Sequence, residues 1–182
     1  MKRSVAFAVI TFFLLLASSF SQEFYLNNLI LDNINGKIQI RFSLDIGNSD
    51  KLISYLKEGI ILKLNCKAQL REDRRFWKDR LIYVKKKEFK ISFNPLTKEY
   101  IISSGKNFSE RDKNLDQLFK RVWEKLIIDL GSWQNLKKNK KYIFQLSLKM
   151  VRSDIPKWMK RILFFINWDV ISEKEYRIKF YL

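Results

Sequence analysis

Ser-x-x-Lys is the shortest catalytic spacing the chain offers, because a lysine one helical turn on can strip the serine proton. It occurs at Ser54–Lys57 and Ser103–Lys106. With 15 serines and 25 lysines in 182 residues, about two matches are expected by chance, and two are found. The Ser-Asp-Asn and Lys-Thr-Gly partners of that chemistry are absent. Paired carboxylates, the other hydrolytic device, could come from Glu72, Asp73 and Asp79 or from Glu110 and Asp112. All sit among Lys and Arg, which favours solvated ion pairs over an acid–base couple. With no histidine and one cysteine, the chain has no Ser-His-Asp triad, no His-based metal site, no CxxC pair and no intrachain disulfide. Asn107-Phe108-Ser109 fits the N-glycosylation pattern, which is too short to carry weight. No catalytic residue, cofactor or metal is expected, and the chain reads as a non-enzyme.

Contact chemistry is better represented. Arg71 to Arg80 is basic and holds the aromatic pair Phe76 and Trp77, flanked by Arg75 and Arg80. Ile155 to Ile166 opens on Pro156, suited to a first helical position. As a helix it places Trp158, Met159, Ile162, Phe165 and Ile166 on one face, flanked by Lys157, Lys160 and Arg161. A basic, aromatic, amphipathic piece can lie in a membrane interface. The plainer alternatives are a solvated loop for the first segment and a core-closing element for the second. The candidate contact surface is therefore Phe76, Trp77, Arg75 and Arg80 with Trp158, Lys157, Lys160 and Arg161.

The first 21 residues differ from the rest. Lys2 and Arg3 precede an apolar run from Val5 to Ala17, then Ser19 and Ser21 flank Phe20. That is the pattern of a secretory signal cleaved after Ser21. The run is short for a membrane span of about 20 residues. The expectation is export to the periplasm of one domain, residues 22–182, with an uncleaved N-terminal anchor holding it at the inner membrane as the alternative. A lone Cys66 suits an exported chain, since no wrong disulfide can form within it. Losing Lys2 and Arg3 lowers the formal charge from +17 to +15. A field of that size attracts anionic lipid, a polyanionic polymer or an acidic protein face. Its bland alternative is genome bias, visible in the abundance of Lys, Ile, Asn and Phe. Nucleic acid is a poor partner for an exported chain.

Strands dominate what must position these residues. Gln22–Leu31 reads as a strand whose apolar parity shifts after Leu26, and Asp32–Gly36 as a turn. Ile38, Ile40, Phe42 and Leu44 alternate with polar residues over 37–45, as do Ile60 to Leu70 over 60–70. Long strands with one wet face point to antiparallel pairing. Residues 47–59 read as a short helix with Ser49 as cap. Phe76–Lys85 reads as a strand interrupted at Lys85, Lys86 and Lys87. Residues 88–104 form a hairpin about Asn94-Pro95. Asn114 caps a helix that the stripe Leu115, Leu118, Phe119, Val122, Leu126, Ile127 and Leu130 extends to Gly131. Strands over 142–152 and 168–182 complete the chain. The predicted fold is mainly β (α+β): an antiparallel sheet or sandwich of about seven to eight strands with two or three packed helices.

In order along the chain, Arg75-Phe76-Trp77-Lys78-Asp79, Ile91-Ser92-Phe93-Asn94-Pro95-Leu96-Thr97-Lys98-Glu99-Tyr100, the helix from Leu115 with Trp133 after it, Asp154-Ile155-Pro156 and Asn167-Trp168-Asp169-Val170 form a pattern. Across about residues 24–182 this order resembles an exported bacterial family catalogued as domain of unknown function 4390. The resemblance implies a signal-bearing envelope protein with no established activity. It also implies a gene often neighbouring a membrane sensor kinase, hence an accessory role beside a membrane protein. It carries over no catalytic or binding residues. The competing expectation from the charge is a basic protein that binds anionic lipid or an envelope polymer.

Overall fold

The computed structural model describes residues 24–47, 49–105, 107–153 and 169–182. Residues 1–21, the segment Ile155–Ile166 with Trp158, Lys157, Lys160 and Arg161, and also Lys106, Asn167 and Trp168 lie outside the described residues.

Strands β1 (Phe24–Ile34) and β2 (Lys37–Ile46) form the first hairpin. Its turn is smaller than the predicted 32–36 cluster. Asp32, Asn33 and Ile34 all pair with β2, which leaves Asn35 and Gly36 at φ of 52° and 74°. Two successive positive φ values give the tight turn whose twist matches a hairpin. The parity shift after Leu26 is a register shift between Asn27 and Ile30, with Asn28 at φ 53°. Helix α1 (Asp50–Lys57) buries Leu52 and Leu56. Ser49 stands at its N-cap position without capping it; its hydroxyl lies 3.5 Å from Asp116 Oδ2 instead.

Strands β3 (Leu62–Glu72), β4 (Arg80–Asn94), β5 (Glu99–Ser104) and β6 (Phe108–Asp112) follow as an antiparallel meander. Two expectations fail on β4. It begins at Arg80, so Phe76 and Trp77 belong to the connecting loop. It also runs unbroken through Lys85, Lys86 and Lys87, which pair with Ala68, Lys67 and Cys66. A ladder is made by backbone groups, and all three ammonium groups remain exposed, so the charge run costs the strand no burial. The 88–104 hairpin is present, its turn held by Asn94 Oδ1 accepting the Leu96 and Thr97 N–H groups at 3.0 and 3.4 Å.

Helix α2 (Leu115–Lys125) starts as predicted, with Asn114 Oδ1 accepting the Gln117 N–H at 3.0 Å. It ends six residues before Gly131. Leu126 is extended, and Ile128–Ser132 form β7 on the edge of β2. Ladder hydrogen bonds with β2 are gained only if this segment leaves the helix, and β-branched Ile127 and Ile128 favour it. A 3₁₀ turn (Trp133–Asn135), β8 (Lys141–Arg152) and β9 (Asp169–Tyr181) complete the described chain.

The strands make two antiparallel sheets, in the orders β1-β2-β7 and β6-β5-β4-β3-β8-β9. Among the described residues there are thus nine strands and two α-helices, an α+β architecture that is mainly β. The small sheet packs on the large one, reaching from β4 to the edge strand β9. Tyr176 on β9 donates to the Phe24 carbonyl on β1 at 2.9 Å, and Tyr83 on β4 to the Ser132 carbonyl on β7 at 2.9 Å. Between the sheets lies one contiguous core, with Ile38, Ile40 and Leu44 facing Leu64, Leu70, Phe144 and Leu146. Cys66 is inside it, as its strand parity required. Helix α2 closes the β5–β6 side through Trp123, whose ring lies 4.7 Å from Phe89 and 5.9 Å from Phe42.

Candidate interaction surface

Ser54, Glu72, Asp79, Glu110 and Asp112 are each taken up by local partners. The Ser54 hydroxyl donates to Glu58 at 2.9 Å on the wet side of α1. Glu72 lies 4.0 Å from Arg74, and Asp79 accepts the Arg74 N–H at 3.5 Å. Glu110 contacts Lys125 at 3.2 Å and Arg121 at 3.6 Å. Asp112 accepts the Asn114 N–H at 2.9 Å and meets Arg121 at 2.9 Å. The Asn114 N–H, then Arg121, hold its carboxyl below the usual range. A general acid at neutral pH needs the opposite shift. Among the described residues, no group of three His, Cys, Asp or Glu is placed to hold a metal ion. Burial pushes the Cys66 thiol up to about 12, far from a nucleophile.

The β3–β4 connection is different. Phe76 is 87% exposed and Trp77 81%, side by side in residues 73–79. Such exposure leaves both rings without the burial that large aromatics ordinarily find. The loop is not loosely attached. The Asp73 N–H bonds the Lys141 carbonyl at 2.9 Å, and the Asp79 carboxylate closes back onto Arg74. Leu81 and Val84, on the adjoining part of β4, are also exposed.

Strand order brings more charge to this end of the sheet. Glu72 pairs with Tyr142, and Lys140 exchanges backbone bonds with Leu182. The β7–β8 connection therefore lies beside the aromatic loop and, with the first residue of β8, carries exposed Lys137, Lys138, Lys140 and Lys141. With Arg74, Arg75, Lys78 and Arg80 they outnumber Glu72, Asp73 and Asp79 by eight to three. The four loop-side cations were visible in sequence as the Arg71–Arg80 stretch. The lysines at 137–141 were not, because only the β3–β8 pairing brings them there. Of the candidate residues, Phe76, Trp77, Arg75 and Arg80 are brought together.

The fold defines a two-sheet antiparallel β domain with an aromatic loop on a cationic end, and no assembled catalytic set among the described residues. Residues 21–179 match the family model described as domain of unknown function (DUF4390), and the chain belongs to that family. No curated protein and no solved structure matches it.

Proposed function

We propose that the protein is a non-enzymatic binding or accessory domain of the cell envelope that docks on a membrane protein through the Phe76–Trp77 loop. The observation that carries this reading is the pair of nearly fully exposed aromatic rings held on a tied-down loop. Each such ring can bury roughly 150 Å² or more, so seating both removes about 300 Å² from water. At about 25 cal/mol per Å² that is a gross gain of roughly 7 kcal/mol towards a partner contact, before association costs. The eight surrounding cations suit a partner with an acidic outer face and would speed its encounter. Export through residues 1–21 would bring the domain to such a partner. A membrane sensor kinase is the partner that the family resemblance implies.

Trp77→Ala tests this directly. It should leave the urea midpoint within about 0.5 kcal/mol of the parent, since the ring supports nothing in the fold. Capture of the membrane partner from cells should fall at least tenfold. Undiminished capture would refute the reading. A second reading is favoured by the same basic ring around aromatic side chains: insertion at an anionic lipid surface. Its signature is binding to anionic vesicles that disappears as salt rises.

A further inference from the structure

A second cationic feature lies away from the loop, on the solvent face of the six-stranded sheet. The β3–β4 register sets Lys67 directly opposite Lys86, and Lys63 directly opposite Lys90. Like charges in directly opposed positions destabilise a sheet. The second pair is relieved, because Lys63 reaches Glu88 at 2.8 Å. The first is not: neither Lys67 nor Lys86 has an ion-pair partner among the described residues, and Lys67 is half-buried. Lys87, next along β4 and opposite buried Cys66, belongs to the other face.

Lys67 and Lys86 line one groove of about 380 Å³, which Lys149 enters from β8. Lys149 is held by Asp169 at 2.9 Å. The acidic residues on the groove are Glu88, taken by Lys63, and Glu173 at the β9 side. The floor holds Ser147, opposite Lys67 on β8 and only 4% exposed. Its hydroxyl makes no hydrogen bond to any described residue. An unrelieved lysine pair above a hydroxyl that opens on the groove is the complement of a compact, multiply charged oxyanion: two ammonium groups for the charge and one O–H for an oxygen.

We infer that this groove binds a phosphate group, carried by a phosphorylated glycan or by a lipid headgroup. The phosphate would sit between Lys67 and Lys86, accept from Ser147, and remove the repulsion that the empty register imposes. Glu173 and the paired Lys149 set its outer limit. The site is independent of the aromatic loop, and neither proposal depends on the other.

The test uses the full chain in neutral detergent at low ionic strength, titrated with inorganic phosphate and followed by backbone amide NMR. Saturable shifts are expected at Lys67, Lys86 and Ser147. Lys67→Gln/Lys86→Gln should weaken binding at least tenfold. Lys113→Gln/Lys120→Gln, with the same change in net charge at exposed lysines near and on α2, should not. The first double variant should unfold at an equal or higher temperature than the parent, because it removes a like-charge pair; loss of binding then cannot be loss of fold. Absence of saturable shifts, or equal weakening in both double variants, overturns the proposal. Titration with glucose 6-phosphate and with vesicles of one part phosphatidic acid to three parts phosphatidylcholine then separates the sources. Tighter binding to either one, lost with Lys67 and Lys86, supports the site and names its ligand; binding to neither overturns it.

Discussion

Gly131 is where the seating of the small sheet on the large one can be weighed. Its φ is +147°, a region closed to residues with a Cβ except under strain. A Cβ there would also strike the Tyr83 ring, overlapping Cε1 and standing 2.6 and 2.8 Å from Cζ and Cδ1. That ring cannot simply swing aside. Its hydroxyl donates to the Ser132 carbonyl at 2.9 Å and accepts from Asn135 at 2.5 Å. Gly131→Ala therefore carries two costs: about 1–3 kcal/mol of backbone strain, and about 1–3 kcal/mol of overpacking. The sum, about 2–6 kcal/mol, is a large fraction of the stability of a typical domain. In the Tyr83→Ala background the second cost vanishes and only the strain is left. A double-mutant cycle by urea denaturation, read through tryptophan fluorescence, should thus show a coupling of about 1–3 kcal/mol. Additive costs would mean that Gly131 and Tyr83 do not touch, and that β7 does not lie over β4.

Cys66 should not react with an aromatic disulfide reagent at pH 8 in the folded protein, and should react fully in denaturant, because burial lifts its thiol to about 12; rapid labelling of the native chain would contradict its place in the core. The Asp112 carboxyl is held low first by the Asn114 N–H and then by Arg121. Its contribution should therefore be fully present above the ordinary carboxylate pKa of about 3.9 and lost as pH falls through the lower folded value. The stability gap between the parent and Asp112→Asn should be constant above about pH 5 and shrink as pH falls below the ordinary carboxylate range; a gap that widens on acidification would refute that assignment.

The strands that were legible in sequence are those with one dry and one wet face. β2, β3 and β8 alternate because Ile38 to Leu44, Leu62 to Leu70 and Tyr142 to Met150 bury every second residue in the shared core. The end of α2 was not legible, because Leu126, Ile127 and Leu130 satisfy a helical stripe as well as a strand. What decides between them is the free edge of β2, which no local pattern contains. The run Lys85–Lys87 looked like an interruption because charge is a poor marker of a strand whose ladder is made by backbone groups. Phe76 and Trp77 read as strand residues by type, yet the β3–β4 reversal falls on them and turns them outward. Their aromatic and basic character was visible from composition; their exposure and the neighbouring lysines were not. The Lys67–Lys86 pair was invisible in sequence, since it depends on the register of two strands.

The claim that the aromatic loop is the contact surface is tested most directly by placing a photo-crosslinking amino acid at position 77 in the native cell. Leu96 is the matched control: it is 92% exposed, equally apolar in character, and sits at the opposite end of β4. Irradiation should give a discrete membrane-protein adduct from position 77 and none from position 96. No adduct at 77, or the same adducts from both positions, would contradict the account.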